Sequence, residues 1–142
     1  MRNPQFVEEH IGLAYGAGGG AMRALLEQVC APGFDAVPGG VGLSAVDDGP
    51  AVPLGDGYLV ITTDAHVVQP IEFPGGDIGR LAVCGTVNDL AMMGATEPAG
   101  LACAAILEAG FPRALLEKIW ASMRDACREA GTTIVTGDTK VM

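Results

Sequence analysis

The sequence predicts an α/β layered domain, and two features predict it. Strand-like and helical patterns alternate along most of the chain. The 21 glycines among 142 residues do not repeat at a fixed period but gather at segment junctions, at Gly16–Gly20, Gly39–Gly42, Gly55–Gly57, Gly75–Gly79 and Gly137. Such clustering marks tight turns and close backbone approaches rather than low complexity.

In chain order, "IGLAY" (11–15) reads as a short strand, and the loop "GAGGG" leads from it into a helix, "AMRALLEQVC" (21–30). Residues 31–57 are turn-rich and hold only short extended pieces such as Ala51–Leu54. "YLVITT" (58–63) is β-branched and aromatic, a strand ending at Asp64, and "HVVQPIEF" (66–73) is a second extended run closed by "PGG". Asp77 is placed to N-cap a helix through about Met93. "LACAAIL" (101–107) has the length and flanking glycines of a buried strand. Pro112 opens a helix with Leu115, Ile119, Met123 and Cys127 on one stripe and Leu116 and Trp120 beside it; Gly131 stands in the C′ position. "TTIVTG" (132–137) is the last strand and delivers "GDTK" at its end.

Composition excludes several function classes. The chain has the length of one ordinary domain, and 49% hydrophobic residues is a globular composition. A net charge of −9, with 8 scattered basic residues, argues against nucleic acid as a partner. No apolar run approaches the roughly 20 residues of a membrane span, and "MRNPQFVEEH" has no signal-peptide core. Cys30, Cys84, Cys103 and Cys127 lie far apart without a C-x-x-C pair, and the last three sit in apolar segments. They read as buried reduced thiols, which points to a cytoplasmic protein.

The chemistry-bearing stretch is "VCGTVNDLAMMGA" (83–95), where Asn88 and Asp89 interrupt a helix that reads as hemmed in on most sides, with Met92 and Met93 as core. An unpaired carboxylate in such a place needs a partner, a metal or a proton. Asp64 and Asp138 stand at strand ends and Asp48 in a turn, and acids at strand ends of α/β domains converge on the rim where such folds bind ligands. With Asp89 they suit a hard cation, since Mg²⁺ on a polyphosphate takes one or two carboxylates per ion plus phosphate oxygens. Lys140 adds a positive charge beside Asp138, while His66, just past the Asp64 strand end, reads as a solvent-facing strand residue or as a residue of the rim. The loop "GAGGGA" fits G-x-G-x-x-A, but the following "CAPGFDAVPGG" has no strand before Asp35, so a phosphate-covering loop suits it better than a dinucleotide fingerprint. There is no Walker-type P-loop, nucleophile elbow or Cys–His pair.

"TTDAHVVQPIEFPGGDIGRLAVCGTVNDLAMMGA", followed by "EAGFP" and "AGTTIVTGDTKVM", resembles the HypE family of hydrogenase expression/formation proteins, over nearly the whole chain. That family lies in the superfamily of aminoimidazole ribonucleotide synthetase, selenophosphate synthetase and thiamine-monophosphate kinase, which use ATP and Mg²⁺ to activate an oxygen as a phosphate. The resemblance implies a PurM-like N-terminal domain, a mixed β-sheet with helices packed on it whose sheets pair in a homodimer. It implies Asp48, Asp64, Asp89 and Asp138 at the metal. Gly16, Gly18, Gly19, Gly20, Asn88, Thr139 and Lys140 would lie at the nucleotide, with Lys140 also catalytic. Two departures stand out: "DDGPAV" differs from the family's "DDAAV"-like run, and Ala65 replaces a frequent serine.

HypE-like proteins dehydrate a carbamoyl group on the sulfur of their own C-terminal cysteine to a thiocyanate, the source of the cyanide ligand of [NiFe]-hydrogenase iron. Their partners are a HypF-like carbamoyl-transferring protein and HypC/HypD-like iron-scaffold proteins. They continue past "GDTKV" into a second α/β domain and the substrate-cysteine tail, so residues 1–142 are expected to be the nucleotide-binding and dimerisation domain only, inactive alone. The alternatives are a sister ATP-dependent kinase or synthetase, and a non-catalytic dimerisation or docking module.

Overall fold

The computed structural model describes residues 9–142; residues 1–8, which carry most of the stretch "MRNPQFVEEH", lie outside the described residues. The chain divides into two compact units, Met1–Ile61 and Thr62–Met142. Helices with both antiparallel and parallel strand pairs bear out the α/β class.

In the first unit Leu13–Gly16 is a 3₁₀ turn, not the strand that "IGLAY" suggests. Tyr15 turns inward while Leu13 stays open to solvent, and a strand needs a partner that this stretch does not find. Helix α1 is Gly19–Leu25 and passes into a π-helical turn over Leu26–Cys30. Strands β1 (Ala51–Leu54) and β2 (Gly57–Val60) form an antiparallel hairpin in which Leu54 pairs with Gly57. The two-residue turn needs a positive φ, and Gly55 supplies it at 59°.

In the second unit β3 (Glu72–Phe73) and β4 (Gly76–Asp77) form a minimal hairpin that runs into α2 (Ile78–Met92). Residues 61–71 are not a strand, and only the last two residues of "HVVQPIEF" pair. Strand β5 (Leu101–Leu107), helix α3 (Arg113–Glu129) and β6 (Ile134–Val141) form a β–α–β unit with parallel strands, since a helical crossover returns the chain in the same direction. Strand β6 runs through "GDTK" instead of ending before it, because β5 continues alongside as far as the Leu107–Val141 pair.

Asp77 joins α2 to α3. Its Oδ1 accepts the Arg80 N–H at 2.9 Å, the expected N-cap, and the Ser122 hydroxyl at 2.9 Å. It is the buried charged residue of the core among the described residues, and the two donors offset its desolvation. Beside it Gly79 lets the helices touch: a Cβ there would stand 2.5 Å from the Ile119 carbonyl oxygen. Val83 and Leu90 of α2 and Ile119, Met123, Ala126 and Cys127 of α3 complete the core. Arg80 forks onto Glu129 at 3.0 and 2.6 Å, and Lys118 pairs with Glu72. The fork raises the Arg80 pKa and lowers that of Glu129. Gly131 (φ 68°) follows α3 in the C′ position that the sequence assigns to it.

Helix α2 is less enclosed than its composition suggests. Only the Gly79–Val83–Leu90 face is buried; Cys84 and Asn88 are exposed, Asp89 is half-buried, and Met92 is 73% exposed. At about 100° per residue, Cys84 and Asn88 point away from the α3-facing stripe. The thiols divide likewise: Cys127 is buried and Cys103 half-buried, but Cys30 and Cys84 are exposed. Burial pushes the Cys103 and Cys127 thiols up from their ordinary value.

Substituting Gly79→Ala should destabilise the protein by about 1–3 kcal/mol, because the clash is with backbone that cannot swing away. That exceeds the roughly 1 kcal/mol of helix propensity gained. Asp77→Ala should cost about 1–2 kcal/mol through the lost cap. Chemical denaturation checks both, and unchanged stability in both would contradict the α2–α3 packing. Raised thiol pKa values hold Cys103 and Cys127 protonated at neutral pH, and the thiolate is the nucleophile. Iodoacetamide at pH 7.5 should therefore label Cys30 and Cys84 well before Cys103 and Cys127, as followed by mass spectrometry.

Candidate functional site

The residues between β2 and β3 build the site. Thr62, Asp64 and His66 alternate along residues 62–66, and this segment lies over one face of α2. Its first pin is the Thr62 hydroxyl, which donates to Asp89 Oδ2 at 3.3 Å. The second is His66, whose Nε2 stands 3.0 Å from Asp64 Oδ2 and whose ring rests on Gly85. Gly85 and Asp89 are four residues apart and therefore neighbours on the helix surface. That face is about a third of a turn from the stripe packed on α3.

Asp64 stands between the two pins. Its Oδ1 accepts the Ala65 N–H at 2.8 Å, and its Oδ2 stands 3.0 Å from His66 Nε2, so each carboxylate oxygen has a close neighbour. The Asp64 side chain is 39% exposed and the His66 side chain 13%. His66 is therefore not the solvent-facing residue that its place after Asp64 suggests; the ring is drawn onto the bare backbone of Gly85. Thr62 and Gly85 are the site residues that sequence reasoning misses, and for His66 the structure favours the rim over the solvent-facing reading. Their signal was the two-residue alternation Thr62–Asp64–His66, which places three polar side chains on one side of the segment.

Asp138 and Lys140 form a second group. Strand alternation puts both on one face of β6, beside Ala104 and Ile106 of β5, with Thr139 on the other face. Lys140 Nζ pairs with Asp138 Oδ2 at 2.7 Å, and Asp138 Oδ1 accepts the Thr139 N–H at 2.9 Å. "GDTK" is thus mid-strand, with its acid and its base already engaged with each other. Gly137 permits the close strand pairing, since a Cβ there would overlap the Cys103 carbonyl oxygen.

The remaining candidates belong to the first unit. Asp48 lies in a turn in which its N–H donates to Asp47 Oδ1 at 3.0 Å. Gly16 ends the 3₁₀ turn, Gly18 (φ 79°) caps α1, and Gly19 and Gly20 open it. Among the described residues no three His, Cys, Asp or Glu side chains form a metal cage. The donor set nevertheless fits Mg²⁺ carried on a polyphosphate, which needs one or two carboxylates rather than an all-protein cage. Asp64 and Asp89, oriented by hydrogen bonds on one helix face, supply that number. No described helix is long and apolar enough to cross a membrane.

The chain is 50% identical over 135 residues to the carbamoyl dehydratase HypE of Rhodobacter capsulatus, covering 95% of this chain and 39% of that protein. The chain thus spans about two fifths of the length of such curated relatives. Among solved structures it is similar to a HypE–HypF complex, with TM-score 0.71, 50% identity, and coverage of 84% of this chain and 36% of that one. A HypE structure in complex with ATP aligns with TM-score 0.52 and 40% identity over 92% of this chain and 37% of that one. Residues 46–142 match the family described as AIR synthase related protein, N-terminal domain, and the chain belongs to that family.

Proposed function

We propose that residues 1–142 form the ATP–Mg²⁺-binding and dimerisation domain of a cytoplasmic carbamoyl dehydratase of [NiFe]-hydrogenase maturation. The observation that carries this reading is the pinning of residues 62–66 on α2, which brings the carboxylates of Asp64 and Asp89 to one helix face. The likeness to a HypE structure with ATP supports the nucleotide, and the likeness to a HypE–HypF complex supports a HypF-like carbamoyl donor as partner. HypC/HypD-like proteins would receive the product. The exposed Ile106, Val135 and Val141 of the β5–β6 sheet, and Val67 in the segment without strand partners, support association of two copies through their strands.

In this reading Asp64 and Asp89 hold Mg²⁺, which supplies charge neutralisation at the phosphate oxygens. Asp48 and Asp138 are further metal contacts. Gly16, Gly18, Gly19, Gly20, Asn88 and Thr139 contact the nucleotide, an assignment that rests on the motifs. Lys140, oriented by Asp138, stabilises negative charge during transfer, and in phosphoryl transfer such positioning and charge stabilisation do most of the catalysis. Overall, an S-carbamoyl group and ATP become a thiocyanate, ADP, phosphate and a proton. The acceptor lies outside these residues, since Cys30, Cys84, Cys103 and Cys127 are all internal. A second domain and a cysteine-bearing tail complete the enzyme.

Calorimetry should show Mg²⁺–ATP binding weakened about tenfold or more by Asp64→Asn and by Asp89→Asn, the order expected for removing a charged contact. Unchanged affinity in both folded variants would remove the site. The 142-residue chain alone should show at most trace ATP hydrolysis and form no thiocyanate. In the full-length protein Lys140→Ala should lower turnover more than ATP affinity. Robust ATP-dependent product formation by residues 1–142 on an added acceptor would instead favour a sister kinase.

A further inference from the structure

The geometry points to His66 as the positioning residue of Asp64, held in place by the missing side chain of Gly85. The inference rests on the Mg²⁺–ATP reading of Asp64. It concerns how that carboxylate is aimed before any ligand arrives.

Asp64 is more than a third exposed and sits on a segment without strand partners. Left to itself, its carboxylate would rotate and sample many orientations at the entropic expense of any ligand that needs one. The Ala65 N–H at 2.8 Å holds Oδ1 but fixes only one end. The His66 imidazole, with Nε2 at 3.0 Å from Oδ2, stands against the other end and thereby limits the plane. His66 can do this only if its own ring is fixed, and α2 fixes it. A Cβ on residue 85 would overlap Nε2 and stand 3.2 Å from Cε1, but 3.5 Å from Asp64 Oδ2, an ordinary contact. Gly85 therefore opens a seat for the imidazole and not for the carboxylate. The seat is on a helix interior, where glycine costs about 1 kcal/mol relative to alanine. Thr62 on Asp89 holds the other end of the segment, so the three contacts form a latch that closes Asp64 onto the Asp89 face. Partners that orient metal-binding groups characteristically contribute about 10–100-fold in metal affinity.

A cycle of variants in the full-length protein tests this, with ATP affinity measured by calorimetry in excess Mg²⁺ and again in EDTA. His66→Ala should reduce the Mg²⁺-dependent part of ATP affinity about tenfold and leave affinity in EDTA unchanged. His66→Gln, whose amide N–H can reach the same oxygen, should recover most of the loss. Gly85→Ala should mimic His66→Ala, because its methyl displaces the ring. Once the ring is gone the methyl meets nothing that matters, so His66→Ala/Gly85→Ala should be no weaker than His66→Ala alone. Thermal melts confirm that each variant is folded. The latch is overturned if Asp64→Asn weakens Mg²⁺–ATP binding but His66→Ala does not. It is also overturned if glutamine fails to rescue, or if the two alanine effects add in full. If Asp64→Asn itself changes nothing, the nucleotide-site reading falls and the latch falls with it.

Discussion

The candidate site depends on the close approach of residues 62–66 to helix α2, allowed by the absence of a side chain at Gly85. Two contacts one helical turn apart, Thr62 on Asp89 and His66 on Gly85, fix both the position and the direction of the segment. Without them Asp64 would sit on an unpaired connection with no defined relation to Asp89. The helix that receives the segment is itself held from behind by Asp77, Gly79 and the core of α3. Glycines on two faces of one helix thus serve two purposes. Gly79 admits the α3 backbone and is structural; Gly85 admits a side chain and is tied to the site.

The electrostatic logic follows from this arrangement. In the proposed site, two carboxylates brought to one helix face would be suited to a cation and its phosphate ligands. Hydrogen bonds from Thr62 to Asp89 and from Ala65 to Asp64, with the His66 ring beside Asp64, leave lone pairs available, since each carboxylate oxygen accepts more than one contact. Lys140 is treated oppositely. It is paired with Asp138, which holds the ammonium group on one face of β6, where in the proposed reading a phosphate would compete for it. A net charge of −9 makes paired, locally placed cations necessary for a polyanionic ligand, because the overall field repels it.

How much of this was legible in the sequence depends on how local each signal is. The Asp77 cap, the α3 stripe with Gly131 after it, and strand β5 were readable because caps, helical stripes and short apolar runs are written within a few residues. The nonlocal features were not. Strand β6 extends through Asp138 and Lys140 because β5 pairs with it that far, and nothing within "TTIVTGDTKV" says so. The run 61–71 has strand composition but finds no partner strand, so the pattern alone overstated it. Helix α2 looked buried because Ala, Gly, Cys and Met are counted as apolar, whereas only its Gly79–Val83–Leu90 face is covered. At the site, the acids Asp64 and Asp89 were readable as residue types in suggestive places. The seating of His66 on Gly85 was not, because it arises from one segment lying on another across some twenty residues of chain.

The most direct test of the claim that Asp64 and Asp89 share one site is paramagnetic broadening by Mn²⁺–ATP in the ¹H–¹⁵N spectrum of the protein. Substoichiometric Mn²⁺–ATP should broaden the amides of Thr62–His66 and of Gly85–Asp89 together, and earlier than those of the α3 face at Ile119 and Met123. Broadening confined to one of the two segments, or centred elsewhere in the chain, would contradict the account.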